Sequence, residues 1–393
     1  MTRSFDRMST MKTVLLAGAA LAAITSAADM QSECQRLMDE AMARGEVFAA
    51  QFCAYSHGKK IVDVYVGTLS TRPGAPAVGS DTLFPIFSTE KPLLATAVHR
   101  VVEKGIMDYD KPLCTWWPEL KGDGKEKLTL RETLGYRTGL PGACPGRLCA
   151  RDLTDWDYVV KTAAADKPDK TPGTIQRYLP YAYAWMLGHP LEVACGKPLK
   201  DVLDEEVLRP AGIEREFYFS VPRSEFPRVA TFYRDAFCEV MNEDWAREMC
   251  LPSAWGVSSA RALCLFYTRL CGFDGKAPLI RRETLDAALK PCRHESDPLP
   301  PPESINNDWH MIFGMGYGLW GEAGRMDRVF GHGGAGGSEA LVDRDNELVV
   351  AFTCNYCRNQ DLRDALYDVV GMRWRYWKDK KSLQDLQMKN SGK

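Results

Sequence analysis

The sequence predicts an α+β fold of the α/β-sandwich type, in which one antiparallel sheet is assembled from both ends of the chain and flanked by helices. Short apolar runs separated by turn residues lie near both ends, and the region between them has mostly helical spacing. Such an order implies one sheet with a mostly helical subdomain inserted in its middle. We place the sheet part at about 29–87 and 305–377, and the helical part at about 88–304.

The size and composition of the chain are those of an ordinary globular protein. Its 393 residues, 45% hydrophobic and 26% charged, are enough to bury a substantial core. The net charge of −2 gives no electrostatic reason to expect a nucleic-acid partner. Because no apolar run reaches the length that crosses a bilayer, we expect no stable membrane span, and the oligomeric state stays open.

The first 28 residues resemble a targeting segment, so we leave them out of the predicted fold. Three basic residues precede an apolar run at 14–24, and small residues at 25–28 offer a cleavage site. The basic residues are Arg3, Arg7 and Lys12. We expect a secretory leader and a secreted or endomembrane-lumen protein. The alternative is a mitochondrial presequence, against which Asp6 counts.

The chain contains 13 cysteines, an odd number that leaves at least one without an intrachain partner. Cys144 and Cys149 bracket a Pro-Gly loop and are candidates to pair in an oxidising compartment. The Cys354-x-x-Cys357 pair resembles a metal or redox motif. No second such pair or histidine pair accompanies it in the sequence, so we expect no metal site.

The first predicted elements are a helix and a hairpin. Residues 31–44 have the pattern of an amphipathic helix that ends near Gly45. Residues 48–55 and 61–66 then flank the polar segment 56–60, which predicts a β-hairpin.

The stretch that follows is the candidate for chemistry. An apolar approach ends at Ser88, and from Leu93 onward the apolar residues recur at helical spacing, so Ser88 opens a buried helix. Backbone N–H groups at a helix start lack partners and help to stabilise an oxyanion. Lys91 lies one turn along the same face, and a desolvated lysine can supply the base that serine needs.

The Ser-x-x-Lys pattern by itself is weak evidence, since it occurs three times. The copy at 9–12 lies in the leader and the copy at 56–59 in the polar turn, so only 88–91 opens an apolar helix. The plain structural alternative is that Ser88 is an ordinary N-cap residue.

Helices dominate the middle of the chain and strands return in its last third. Residues 128–134 predict a helix capped by Thr129, and the segment 138–142 ends it. Four short apolar runs then predict an antiparallel meander, at 313–320, 328–332, 338–343 and 348–353. Residues 360–377 predict a closing helix, and 378–393 form a polar tail.

Three stretches, in fixed order and far apart, carry a family resemblance. They are 83–91 with its Ser-x-x-Lys, 172–185 with its tyrosines, and the glycine-rich 330–338. Over about residues 30–377 the chain resembles the β-lactamase-like serine hydrolases, particularly the esterase branch related to class C β-lactamases. The resemblance implies a β-lactamase/transpeptidase-like fold, a single hydrolase domain at 29–377, and neither a metal nor an organic cofactor.

The resemblance also implies roles for individual residues. Ser88 matches the nucleophile and Lys91 its base. Tyr178, six residues after Pro172, matches the tyrosine whose phenol relays protons with the lysine. Tyr181 and Tyr183 are the runners-up, and the plain alternative for any of the three is a core aromatic.

The third stretch matches the family's Lys-Thr-Gly or His-x-Gly strand beside the nucleophile. Ala335 falls where the second oxyanion-hole N–H lies, paired with the N–H of Ser88. His332, Gly333 and Gly334 would line the substrate site. The glycines have no side chains, so substrate can approach the strand backbone closely. The plain alternative is a glycine turn without function.

The sequence departs from the family pattern at two places. Leu179 and Pro180 replace the usual polar neighbours of the tyrosine, which puts the substrate class in doubt. Gly135 and Tyr136 replace a serine and a histidine, which we expect to change packing more than chemistry.

The function that the resemblance implies is acyl transfer from an ester or amide to water through an acyl-enzyme. A small-molecule carboxylesterase is favoured over a β-lactamase or D-peptide hydrolase, since the third stretch matches the esterase branch best. Leu179-Pro180 and Tyr136 favour a different alternative, a catalytically inactive scaffold. No Gly-x-Ser-x-Gly elbow or His-Glu-x-x-His motif is present in the sequence.

Overall fold

The computed structural model describes residues 26–140, 152–233, 239–294, 297, 312–321, 325–356 and 361–372. Its helices are α1 (Ala27–Ala43), α2 (Lys91–Glu103), α3 (Leu130–Leu134), α4 (Trp156–Ala165), α5 (Ala182–Cys195), α6 (Leu199–Leu203), α7 (Arg209–Ala211), α8 (Asp244–Glu248), α9 (Ala260–Cys271), α10 (Arg282–Ala288) and α11 (Asp361–Val370). Its strands are β1 (Ala49–Ser56), β2 (Lys59–Gly67), β3 (Phe84–Pro85), β4 (Phe217–Tyr218), β5 (Val257–Ser258), β6 (Ile312–Phe313), β7 (Gly318–Leu319), β8 (Val329–Gly333), β9 (Glu339–Asp343) and β10 (Leu348–Cys354).

One seven-stranded antiparallel sheet joins the two ends of the chain, as the sequence predicts. The strand order is β2-β1-β10-β9-β8-β7-β6. The junction between the two ends is β1 against β10, with Ala50 opposite Cys354 and Ser56 opposite Leu348. This confirms the predicted α+β architecture with a helical region inserted between the two contributions to the sheet.

The sheet is covered by helices on both faces. Alternate residues of β1 point to opposite sides. Phe52 packs in one apolar cluster with residues of α1 and α11, and Cys53 packs in the other with residues of α2 and α9. The sheet therefore forms the middle layer of a three-layer sandwich, which explains why β1 is buried almost throughout.

The first helix starts earlier than the sequence pattern indicates. Ser26 is its N-cap and accepts a hydrogen bond from the Asp29 backbone N–H. The helix therefore includes Ala27 and Ala28, two residues that the sequence assigns to the targeting segment. The predicted amphipathic face begins later because those first residues are exposed.

A second, smaller sheet joins the end of the first predicted sheet part to the region that the sequence predicts to be mostly helical. Its strand order is β3-β5-β4, and each strand has two residues. Phe84 and Phe217 both pair with Ser258. This sheet anchors the segment that leads into Ser88.

The predicted strand at 313–320 is wrong in its continuity. The structure divides it into β6 and β7, which pair with each other around a turn. Gly316 turns the chain at a φ of +94°, and a Cβ atom there would lie 2.1 Å from the Cβ of Ala95. The glycines that interrupt the apolar run therefore make a hairpin.

Two local features of the helical part position the site. Thr129 caps α3 in a capping box with Glu132, which confirms the predicted cap. Beyond α3, Arg137 forms a buried ion pair with Asp297, with 2.5 Å between Nη1 and Oδ2. Arg137 also donates to the carbonyls of Gly173 and Cys292, so one guanidinium connects the chain after α3 to three residues that are distant from it in sequence.

Several sequence predictions fall outside the described residues. They are the targeting segment up to residue 25, the Cys144/Cys149 pair, Cys357 of the Cys-x-x-Cys motif, and the tail at 378–393. Within the described ranges, no helix is both long and apolar enough to cross a membrane. The same ranges contain no cluster of three or more potential metal ligands.

Candidate active site

Ser88 lies in a single 3-10 turn, Phe87–Glu90, between β3 and α2. The predicted helix start is therefore correct in place but not in detail, since the α-helix itself begins at Lys91. Phe87 adopts a φ of +50°, a conformation that costs energy for a residue with a large side chain. Its ring packs edge-to-face on Phe232, with 5.0 Å between centroids, and this contact helps to hold the turn.

Lys91 is fully buried beneath this turn, at 0% exposure. Its Nζ lies 3.0 Å from the Ser88 Oγ, 2.7 Å from the Pro180 carbonyl oxygen and 2.5 Å from the Ser253 carbonyl oxygen. An ammonium group has three N–H donors, and three oxygens surround this one. Among the described residues, no carboxylate forms an ion pair with Lys91.

Burial weakens the affinity of this amine for protons. It lowers the pKa of Lys91 to about 7, against a smaller opposing effect from the neighbouring Glu90. At neutral pH a substantial share of Lys91 is therefore an uncharged amine. Such an amine keeps two N–H donors for the two carbonyls and turns a lone pair towards the Ser88 hydroxyl.

The structure brings Tyr178 to the same place. The Lys91 Nζ lies 5.0 Å from the centroid of the Tyr178 ring. The ring is half-buried and stacks on Phe313, with His332 on another side at 5.9 Å between centroids. The middle stretch of the family resemblance thus converges on the first, as the sequence predicts.

The two runner-up tyrosines lie elsewhere around the site. Tyr183 is fully buried, stacks on Tyr136 at 4.4 Å and donates a hydrogen bond to the Leu134 carbonyl, so it is a core aromatic. Tyr181 packs its ring against Trp255, and its carbonyl accepts a hydrogen bond from the Ser253 hydroxyl.

The two departures at 135–136 affect packing, as expected from the sequence. Tyr136 packs its ring on Tyr178, with 5.5 Å between centroids, and on Phe313. At Gly135, a Cβ atom would lie 2.9 Å from the Cys292 side chain. Tyr136 therefore supports the Tyr178 ring from behind, and Gly135 leaves space for Cys292.

The glycine-rich third stretch runs beside the Ser88 turn. A Cβ atom on Gly334 would lie 2.2 Å from the Ile86 carbonyl oxygen, so only glycine allows this approach. The Thr89 hydroxyl donates to the Ser338 carbonyl at 3.2 Å and joins the two segments further. Ala335 is exposed in the turn that follows β8, next to this contact.

His332 points its ring into the buried part of the site, at 1% exposure. Its Nδ1 lies 2.6 Å from the Gly333 carbonyl oxygen, which can only accept, so the proton is on Nδ1. Its Nε2 is buried and has no hydrogen-bond partner among the described residues. Burial, together with the nearby Lys91, lowers the pKa of His332 to about 3, so the ring is neutral.

Three groups at the site were missed by sequence reasoning. Two are the carbonyls of Pro180 and Ser253, which hold the Lys91 amine. Backbone carbonyls carry no sequence signal, and Pro180 stands where the family pattern has a polar residue. The third is Glu90, fully buried next to Lys91 with its Oε1 2.8 Å from the Trp255 backbone nitrogen.

The assembled site pairs a hydroxyl with an amine of near-neutral pKa at hydrogen-bond distance. A base so placed can take the serine proton as the oxygen attacks an electrophilic carbon. Gly334 lets the third stretch pack directly against the segment that leads into Ser88. The arrangement is thus suited to nucleophilic catalysis of acyl transfer.

Comparison with known proteins agrees with this geometry. A family model described as Beta-lactamase matches residues 34–370. The chain is 24% identical over 365 residues to Esterase/beta-lactamase LipL of Mycobacterium tuberculosis, covering 84% of this chain and 83% of that protein. It is 28% identical over 248 residues to Esterase EstB of Burkholderia gladioli, covering 59% and 62% respectively. The solved structure of a family VIII carboxylesterase matches with a TM-score of 0.75 at 24% identity, over 86% of this chain and 97% of that one, which supports the fold.

Proposed function

The chain belongs to the beta-lactamase family and is a hydrolase of that fold, and on this premise we propose that it is a serine carboxylesterase. The observation that carries the proposal is the contact between the Lys91 Nζ and the Ser88 Oγ at 3.0 Å. It joins a nucleophile to a base whose pKa is about 7.

The reaction begins when neutral Lys91 takes the Ser88 proton and the Ser88 oxygen attacks the ester carbonyl. The N–H groups of Ser88 and Ala335 receive the oxyanion. The C–O bond to the alcohol then breaks, and Tyr178 passes the proton held by Lys91 to the departing oxygen. Water repeats the same steps on the acyl-enzyme, which releases the acid and regenerates Ser88.

An ester is favoured over a β-lactam or a D-peptide because of His332. Those two substrate classes carry a carboxylate close to the scissile bond, and a site for them gains from a fixed positive charge. His332 occupies the matching strand position with a neutral ring. A neutral ring supplies no positive charge for such a carboxylate, which suits an uncharged substrate.

Labelling with a serine-directed phosphonate tests the nucleophile. We expect Ser88→Ala to abolish both labelling and hydrolysis of a nitrophenyl ester, while the labelled peptide of the unchanged protein contains Ser88. Ser56→Ala is the matched control, because Ser56 begins another Ser-x-x-Lys copy at the end of β1. Undiminished labelling of Ser88→Ala would refute the proposal and favour the inactive scaffold.

Substrate preference needs a second measurement. We expect the rate on a nitrophenyl ester to exceed the rate on a cephalosporin when both are measured on the same preparation. Faster cephalosporin hydrolysis would leave Ser88 as nucleophile but overturn the ester assignment.

We also propose that the first 28 residues direct export into the secretory route. N-terminal sequencing of the mature protein from its native source tests this. A new N-terminus near Ala28 in a secreted or lumenal fraction is expected, whereas recovery with mitochondria or an intact Met1 contradicts it.

A further inference from the structure

Two consecutive residues hold the same loop, Glu90 at the end of the Ser88 turn and Lys91 at the start of α2. The Lys91 amine donates to the Ser253 carbonyl at 2.5 Å, and the Glu90 Oε1 accepts from the Trp255 backbone N–H at 2.8 Å. The loop leads directly into β5. Its position therefore depends on the two neighbouring side chains together.

Glu90 is buried in a way that leaves half of its carboxyl group without a partner. The residue has no exposed surface, and its Oε2 has no hydrogen-bond partner among the described residues. A Cβ atom on Gly256 would lie 2.0 Å from this Oε2, so a glycine is what admits the carboxyl group here. The absence of a side chain at residue 256 therefore leaves the space that this carboxyl group occupies.

The neighbouring amine does not neutralise Glu90 by direct contact. The three oxygens around the Lys91 Nζ belong to Ser88, Pro180 and Ser253. The described residues contain no Glu90–Lys91 ion pair. A buried carboxylate without a counter-ion in direct contact is much less stable than the corresponding acid.

The other titratable groups around Glu90 do not supply a charge either. Cys250 lies before the loop, and burial raises the pKa of its thiol to about 12. On the far side of Lys91, His332 is neutral. Burial raises the pKa of Glu90 well above its ordinary value, against opposing effects from Lys91 and the backbone N–H groups of residues 254–256.

We propose that Glu90 is a positioning residue for Lys91 and acts as a neutral carboxylic acid. It fixes the loop whose Ser253 carbonyl orients the amine, and as a neutral acid it lacks the negative charge that would favour the protonated form of Lys91. As an ammonium, Lys91 would spend all three N–H donors on its three oxygens and have no lone pair for Ser88. The inference rests on the proposed function only in taking Lys91 as the base.

Substitution separates the two parts of this role. Glu90→Gln keeps the acceptor for Trp255 and copies the neutral acid, so we expect kcat/KM within about threefold of the unchanged protein and the same acidic limb of the pH profile. Glu90→Ala removes the loop contact, so we expect kcat to fall about tenfold to a hundredfold with little change in KM. Glu206→Gln is the matched control, since Glu206 is buried but paired with Arg100 and Lys104 far from Ser88.

Each alternative has a distinct result. If Glu90 were an ionised partner of Lys91, Glu90→Gln would move the acidic limb to lower pH by about one unit or more, and that shift would overturn the proposal. Equal activity of Glu90→Ala and the unchanged protein would overturn the positioning role.

Infrared spectroscopy tests the protonation of Glu90 without relying on catalysis. At pH 8, where ordinary carboxyl groups are ionised, we expect a carboxylic acid C=O band that disappears in Glu90→Gln and persists in Glu206→Gln. Absence of the band from the unchanged protein would overturn the proposal even if every variant folded poorly. The band does not depend on Ser88, so we expect it to remain in Ser88→Ala. Failure of the inference is therefore distinguishable from failure of the proposed function.

Discussion

Lys91 derives its chemistry from the absence of water and from the kind of oxygens that surround it. Two of its three contacts are backbone carbonyls, which accept hydrogen bonds and cannot themselves be titrated. They hold the amine in one place whether it is charged or neutral. The third contact, Ser88, is the one whose proton can move.

The acid side of the pH profile follows from this environment. Because the base must be uncharged to act and the pKa of Lys91 is about 7, we expect kcat/KM to increase as pH rises through 7 and to level off above it. Initial rates on a nitrophenyl ester over pH 5 to 9, at substrate concentrations well below KM, measure this.

The matching control is His332→Gln. Since the pKa of His332 is about 3, the histidine stays neutral over the whole range, and its replacement should leave the position of the limb unchanged whatever it does to the rate. An acidic limb that moves in His332→Gln would be incompatible with Lys91 as a buried base. So would a limb whose midpoint lies near the ordinary lysine pKa.

At the scale of single residues, the sequence predicts the contacts between residues that are close together in the chain. Ser88 and Lys91 lie one helical turn apart, so their contact follows from spacing. Tyr178 required the family resemblance, because nothing local distinguishes it from Tyr181 or Tyr183. The carbonyls of Pro180 and Ser253 were beyond prediction, since every residue carries such a group and only the fold selects two of them.

Among the elements, the contact between β8 and the Ser88 turn matters most for the site. The two segments approach so closely that Gly334 has no space for a side chain on the side facing Ile86. The turn is also the place where Phe87 holds an unfavourable φ. Any displacement of the strand is therefore transmitted to the nucleophile.

Gly334→Ala tests this coupling. The added methyl group would meet the Ile86 carbonyl oxygen at 2.2 Å, so strand or turn must move, at a cost of about 1–3 kcal/mol in unfolding free energy. A shift of the nucleophile by a fraction of an ångström is enough to lower kcat/KM about tenfold or more. Urea unfolding and ester hydrolysis measure the two effects.

The control for this substitution is Gly79→Ala. Gly79 also lies outside the left-handed region, and its nearest neighbour is the flexible end of Asp81 at 3.2 Å. We expect little change in activity there. A Gly334→Ala protein as active as this control would show that the strand does not constrain Ser88.

Element boundaries divide into those with a chemical marker and those without one. The cap of α3 was predictable because Thr129 and Glu132 form a recognisable pair. The strands β3, β4 and β5 were not, since two residues are too few to show an alternating pattern. The α1 start was misplaced because its first turn is exposed and carries no apolar face.

At the scale of the whole molecule, the helical insertion is tied together by a buried charge pair. Arg137 and Asp297 lie 160 positions apart in the chain and are both almost fully buried. Although burial opposes ionisation, the Arg137 guanidinium and the His294 N–H keep the pKa of Asp297 below its ordinary value. The pair is therefore charged at neutral pH.

Breaking this pair should be costly. We expect Arg137→Leu to lower the free energy of unfolding by about 3–5 kcal/mol, since it strands the Asp297 carboxylate in the interior. Adding Asp297→Leu should recover part of that loss. Denaturant unfolding of the two single variants and the double variant gives the coupling energy, and additive losses would contradict a direct pair.

The large-scale arrangement was the most predictable feature of the molecule. Apolar strand patterns at both ends and helical spacing between them were sufficient for the sheet and its insertion. The order of the three motif stretches likewise predicted that they meet. The angles and distances of that meeting depend on packing between segments remote in sequence, which no local pattern encodes.

The pairing of β1 with β10 has a consequence for how the protein is made. The β1–β2 hairpin leaves the ribosome about 300 residues before its partner strand, as the pairing of Ala50 with Cys354 shows. Until then the nascent hairpin exposes an apolar edge, and contacts of such long sequence separation form slowly. A message cut short before the codons for β10 therefore yields a chain that needs chaperones and degradation rather than a weaker enzyme.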